Sequence, residues 1–265
     1  MSLYEIKKKL TTLVVFEKAT YAMKIVSSSL HAKIKKNLSY YQKLKNQLEF
    51  LKQDPFTEFH ITDIPKMYIF VGAERGFCGD YNLGMFRKFN EITKQDENKH
   101  IPCILIGKAF IEKIKKKSEN IFCFNEFKEK FFFSIEKKIK KIAEEKNIAV
   151  IEIFSYESKS IGNKELIKTT FYTNTNNLDL KKDFFTGHFS KESIMKKYQE
   201  FYTEILLNYL FRMAFLTEQG IRFISMDAAL KNTKEAISDH KKLYFKTRQE
   251  NINKQLQDLG VSLLL

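Results

Sequence analysis

Apolar residues near the start of the chain recur in steps of three and four: Leu13, Phe16, Ala19, Met23, Val26, Leu30, Ile34, Leu38, Tyr41, Leu44, Leu48 and Leu51. The spacing is close to the 3.5-residue repeat of a coiled-coil seam, and lysines occupy much of the remaining surface. It predicts a helix from about Leu3 to Gln53, roughly 75 Å long at 1.5 Å per residue and several times the usual globular length. From Lys191 onward the pattern is helical again, opened by Ile194, Tyr198, Phe201 and Ile205, and it is long enough to run about 100 Å. Ser225, Ala228, Ala229 and Ala236 follow, small enough to let a neighbouring backbone approach closely. The breakers lie between these segments. Pro55, Pro65 and Pro102 are the three prolines, no glycine precedes Gly72, and residues 188 to 265 hold only Gly220 and Gly260. Two long helices at opposite chain ends can pack as an antiparallel pair, or serve as a plain coiled-coil spacer.

Between them the period changes from helical to strand-like. Lys66 to Val71, Cys103 to Ile106, Ile121 to Phe124 and Ile148 to Phe154 are short apolar runs, and Leu166 to Tyr172 is a further edge strand. Amphipathic stretches near 82–95, 109–117 and 132–146 alternate with them, which predicts a mainly parallel sheet with crossover helices. The expected fold class is α/β: a long antiparallel coiled coil of N- and C-terminal helices plus a central Rossmann-like α/β domain. The expected segments are 1–56 for the first shaft helix, 64–185 for the α/β domain and 190–265 for the second shaft helix.

Composition narrows the function classes. A content of 43% hydrophobic residues in 265 can fill a core, which excludes a disordered chain. The most apolar late segment, Tyr209 to Leu216, is interrupted by Arg212, so no membrane span is expected. Met1 to Ile6 runs directly into Lys7, Lys8 and Lys9 without a secretory apolar region, which predicts a cytoplasmic location. The formal charge of +14 is carried by 41 Lys and only 5 Arg. Few guanidinium forks argue against base-specific reading, and no nucleic-acid partner is expected. Residues 1 to 54 hold 11 Lys against 4 acids, so the first helix is a basic surface. Cys78, Cys103 and Cys123 form no C-x-x-C pair and are expected to be reduced and buried.

Candidate chemistry in the middle is thin. Gly72-Ala73-Glu74-Arg75-Gly76-Phe77-Cys78-Gly79-Asp80 follows the first strand, where a dinucleotide loop would stand, but it offers only G-x-x-G. Gly107-Lys108 has Pro102 where a phosphate loop needs its first glycine. Arg75 beside Cys78 could lower the thiol pKa, yet no histidine is marked as its base. His31, His60, His100, His188 and His240 show no metal-ligand spacing. No catalytic residue, cofactor or metal is expected.

The run Glu74-Arg75-Gly76-Phe77-Cys78-Gly79-Asp80-Tyr81-Asn82 resembles the D-R-G-L-C-G-G-x-N segment of the gamma subunits of F-type rotary ATPases. Ala22-Met23-Lys24-Ile25-Val26 is similar to their N-terminal A-M-K-M-V. Glu218, Arg222, Met226, Ala228, Ala229 and Asn232 match the spacing of a C-terminal family stretch, as do Tyr244, Arg248, Gln249 and Ile252. The chain departs from the family at Leu30, Thr217 and Asp80, where Lys, Ser and Gly are usual, and it lacks a second glycine near its end. The resemblance implies a non-catalytic shaft inside a ring of alpha and beta subunits, an alpha3beta3 hexamer. It implies an epsilon-like subunit and a membrane rotor ring, or another output module, at the foot of the shaft, the complex lying on the inner face of the cell membrane. It also implies that Met23, Arg222, Arg248 and Gln249 lie where the helices meet the beta subunits, and that the apolar end Val261 to Leu265 sits in an apolar sleeve. A variant ATPase driving another motion, or a coiled-coil scaffold, remains an alternative.

Overall fold

The computed structural model describes residues 2–50, 65–94, 100–114, 120–172 and 191–262. The expected boundaries at 56, 64, 185 and 190 lie outside the described residues, as do His60, His188, Leu51, Gln53 and the chain end from 263. The elements are α1 (Leu3–Phe50), β1 (Lys66–Val71), α2 (Tyr81–Thr93), β2 (Cys103–Ile106), α3 (Lys108–Ile111), β3 (Ile121–Phe124), α4 (Phe132–Glu145), β4 (Val150–Glu157), β5 (Glu165–Tyr172) and α5 (Lys191–Ser262). The chain divides into two compact units, Met1–Ser28 with Phe223–Leu265, and Ser29–Arg222.

In the larger unit the five strands form one sheet in the order β3-β2-β1-β4-β5. β1 runs parallel to β2, with Tyr68 opposite Cys103, and to β4, with Lys66 opposite Val150; β5 returns antiparallel, with Tyr172 opposite Val150. The central strands read as unbroken apolar runs because both faces are covered. On one face Tyr68, Phe70, Leu105, Phe154 and Tyr156 meet Tyr81, Met85 and Phe89 of α2 and Phe110 of α3. On the other, Met67, Ile69, Val71, Ile104, Ile106, Ile151 and Ile153 meet α4, α5 and residues 34–48 of α1. α4 presents Phe132, Ile135, Ile139 and Ala143 at helical spacing. Asn147, at φ 50°, then reverses the chain after α4 in the left-handed conformation that Asn tolerates.

Residues 202–222 of α5 are buried on nearly all sides, which explains why the sequence is most apolar there. The pairing with α1 is antiparallel: Tyr198 Oη donates to the carbonyl of Leu48 at 2.6 Å, Arg212 reaches Tyr41 at 3.3 Å, and His31 lies beside Gly220.

In the smaller unit the two helices meet along stripes that alternate in steps of three and four. On α5 the stripe is Phe223, Met226, Leu230, Thr233, Ile237, His240, Tyr244 and Thr247. On α1 it is Leu3, Ile6, Leu10, Leu13, Glu17, Thr20, Lys24 and Ser27. Lys24 bridges to Asp227 at 2.5 Å and lies over the Phe223 ring. The expected seam through Phe16, Ala19, Met23 and Val26 is therefore corrected. Phe16 and Val26 are 43% and 52% exposed, whereas Thr20 and Ser27 are buried. The contact mixes apolar residues such as Ile6, Met226, Leu230 and Ile237 with the small polar Thr20, Ser27 and Thr233, while Phe16 and Val26 point outward. From Ile34 onward the expected and observed stripes agree at Ile34, Leu38, Tyr41 and Leu48.

Candidate functional site

The loop after β1 is positioned by side chains from four directions. Asn82, buried at the start of α2, accepts from the Ala73 N–H through Oδ1 at 2.8 Å, and Tyr81 Oη donates to the Ala214 carbonyl of α5 at 3.2 Å. Glu74 accepts from the Phe127 N–H at 3.2 Å and pairs with Lys128 at 3.1 Å. Asp80 pairs with Lys164, whose hydrogen bond holds the carboxyl below its ordinary pKa. Arg222 reaches across from α5, its Nε donating to the Gly76 carbonyl at 3.3 Å and its Nη2 to the Arg75 carbonyl at 3.2 Å. Its partner Glu218 lies one helical turn back and is also buried. Burial outweighs the attraction of Arg222 and pushes the Glu218 carboxyl up to about 7.

This anchoring turns part of the motif outward. Arg75, Gly76 and Gly79 are exposed, and Phe77 is 61% exposed at φ 59°, a left-handed conformation uncommon for a bulky residue. Such strain persists only where neighbours over-determine the backbone, and the Arg222 bonds to the two preceding carbonyls do so. Gly72 is required by packing: a Cβ there would lie 2.2 Å from Phe110 Cβ.

The surroundings of Cys78 disfavour its thiolate. The residue is buried, its thiol donates to the Arg75 carbonyl at 3.6 Å, and burial with the nearby Glu218 raises its pKa. The guanidinium that opposes this rise is that of Arg222, not that of Arg75, whose side chain is exposed. Cys103 is buried, as expected, but Cys123 is exposed on the edge strand β3. Among the described residues no group of His, Cys, Asp or Glu is placed to hold a metal ion.

In open α/β sheets a nucleotide binds beyond the carboxyl ends of the strands where the strand order reverses, which here is between β1 and β4. That edge is packed by the chain itself. Thr217 of α5 donates to the Tyr156 carbonyl at 3.3 Å, Arg222 holds the β1 loop, and the Tyr81 and Tyr156 rings lie 4.5 Å apart.

The residues expected at a partner surface fall into two groups. Arg248 and Gln249 are exposed, at the point where the buried stripe of α5 ends, and Met23 is half-buried beside the seam. Arg222 is 7% exposed, with its guanidinium engaged inside the chain. The apolar face past Arg248 continues with Ile252, Leu256 and Leu259, all exposed. Tyr81, Asn82, Glu218 and Lys164 as supports of the loop were not singled out from sequence. The available signal was Glu218 and Arg222 four residues apart in an apolar helix, since a buried charge needs a partner.

These features define a mixed α/β protein in which the two terminal helices pair antiparallel within each unit, and one of them fills the crevice of a Rossmann-like sheet. The sequence pattern of the ATP synthase family matches residues 2–261. The chain belongs to the ATP synthase family. The gamma chain of Helicobacter pylori ATP synthase is 26% identical, over 98% of this chain and 97% of its own length. That of Clostridium botulinum is 25% identical, over 96% and 94%. In fold the chain is similar to the rotor of the Euglena gracilis mitochondrial ATP synthase, with TM-score 0.72 at 14% identity, covering 94% of this chain and 98% of that one. It is also similar to a chain of the Tetrahymena thermophila mitochondrial ATP synthase central stalk and c-ring, with TM-score 0.59 at 13% identity, covering 80% and 99%.

Proposed function

We propose that this chain is the gamma shaft of a rotary ATPase, coupling ATP hydrolysis or synthesis on an alpha3beta3 ring to rotation without itself turning over nucleotide. The observation that carries the reading is the outward display of large apolar residues on a helix pair. Val15, Phe16, Tyr21, Ile25 and Val26 of α1 and Phe245, Ile252, Leu256 and Leu259 of α5 are exposed on a strongly basic chain. A shaft needs such a surface, because its faces must favour different states of the surrounding subunits, and coupling is bounded by that differential affinity. Arg248 and Gln249 supply polar contacts to the ring, and Met23 an apolar one. Arg222 contributes through the motif loop that it holds in place, presenting Arg75 and Phe77. Filling of the crevice by α5, with the absence of both phosphate-loop patterns, supports a non-catalytic role.

No described helix is long and apolar enough to cross a membrane. The chain would reach the membrane through its partners, a rotor ring with an epsilon-like subunit, on the cytoplasmic side. Affinity purification of the tagged chain from its native cell tests the assignment. Alpha and beta subunits should be recovered at three copies each per chain, and recovery of the chain without an ATPase ring would overturn it.

A further inference from the structure

One carboxylate ties both terminal helices to the α/β layer of the larger unit. Glu129, in the 3-10 turn Glu129–Phe131 before α4, takes Arg212 Nη1 of α5 at 2.6 Å, Asn37 Nδ2 of α1 at 2.9 Å and Lys33 Nζ of α1 at 3.2 Å. Burial would raise its pKa, but the hydrogen bonds from Asn37, Arg212 and Lys33 hold it below the ordinary value. Arg212 is 9% exposed. Its Nη2 donates to Tyr41 Oη at 3.3 Å, and its guanidinium carbon lies 4.4 Å from the Tyr41 ring centroid and 5.7 Å from that of Phe132.

The surrounding contact is apolar. Phe127 and Phe132 pack on Phe211 and Phe215 with ring centroids 5.7 to 6.1 Å apart. Apolar burial resists separation of the layers, but it is non-directional and opposes twist less well. The Arg212 Nη1 bond to Glu129 Oε1 is charge-assisted and directional, and the Nη2 bond to Tyr41 Oη holds a second nitrogen of the same planar group. An arginine in the most apolar stretch of the chain would cost stability unless it were paired, and a hydrophobic residue there would pack at no such cost.

We propose that Arg212, acting through Glu129, is a rotational lock that makes the α/β domain turn with the helix pair, so that torque in the helices reaches whatever docks on that domain. Arg212 is a positioning residue here. The torque half of the proposal rests on the shaft reading above; the lock itself does not.

The test uses the full chain, spin-labelled at the exposed native Cys123 on β3 and at Lys36→Cys on the exposed face of α1, with the label-to-label distance distribution measured by pulsed electron resonance. Arg212→Met and Glu129→Gln, the second close in shape and only partly buried, should each broaden the distribution roughly twofold as the directional bonds are lost. Leu206→Ala, which weakens the same core without touching the pair, should leave the width unchanged at a comparable loss of melting temperature. Unchanged width in both pair variants, or equal broadening by Leu206→Ala, would overturn the lock. In the reconstituted complex the pair variants should keep ATP hydrolysis and lose several-fold in protons pumped per ATP. A broadened distribution with unaltered pumping would overturn the torque half and leave the lock standing.

Discussion

Replacing Thr20 by Val is expected to stabilise the isolated chain. Thr20 is fully buried in the α1 seam, and its Oγ1 has no hydrogen-bond partner among the described residues. A buried hydroxyl without a partner costs about 1–3 kcal/mol, and Val keeps the branched shape while removing it. The helix propensities of Thr and Val are similar, so the backbone contributes little to the difference. A gain of about 1–2 kcal/mol corresponds to a rise of roughly 2–8 °C in melting temperature for a chain of this size. The companion variant is Phe16→Ser. At 43% exposure Phe16 lies off the seam, so its loss should cost under about 1 kcal/mol in the isolated chain. Were it a core residue of the pair, the cost would be about 3–5 kcal/mol. Thermal melts followed by helical circular dichroism read both. A neutral or destabilising Thr20→Val together with a costly Phe16→Ser would show that the helices pair on the other stripe, and the observed seam would be refuted.

Glu218→Gln should flatten the stability–pH curve between about 4.5 and 7. The folded carboxyl sits at about 7 against an ordinary 4.5, so the folded state holds the proton more tightly and stability falls as pH rises through that window. Melts across the window should show a slope in the parent that is smaller in the variant, and equal slopes would contradict the burial argument. Gly72→Ala should cost about 1–3 kcal/mol or more by overpacking against Phe110, whereas Gly76→Ala, which faces open space, should be nearly neutral in a denaturant titration. Replacing Arg248 and Gln249 together by Ala should leave the melting temperature of this chain unchanged, since both are exposed. In the assembled complex the same pair should lower ATPase-driven rotation, as interface charge contacts cost about 2–5 kcal/mol when lost. Unaltered torque would remove these residues from the coupling surface.

The architecture was legible because its signals are long and redundant. Absent breakers at both ends, and apolar runs such as Met67 to Val71 and Cys103 to Ile106, all report the same plan. The seam between residues 13 and 27 was not legible, because a count of apolar positions cannot see a contact built from Thr20 and Ser27. The apolar residues it does see, Phe16 and Val26, are turned outward. The motif at Glu74 to Gly79 could be located from its order along the chain, but what holds it could not. Arg222 is 147 residues from Arg75, and only the fold brings its guanidinium to that carbonyl. Cys123 read as a core cysteine because its neighbours are apolar, and its exposure follows from the place of β3 at the sheet edge.

The central claim is that this chain turns inside an ATPase ring, and observing that rotation tests it most directly. The native Cys123, exposed on β3, offers an attachment point for a light-scattering particle, with the ring fixed to a surface. With the chain assembled on its alpha and beta subunits, addition of ATP should drive stepwise rotation of the particle in one direction, at a rate that follows ATP concentration. A ring that hydrolyses ATP while the particle stays still, with the chain shown to be bound, would contradict the shaft reading.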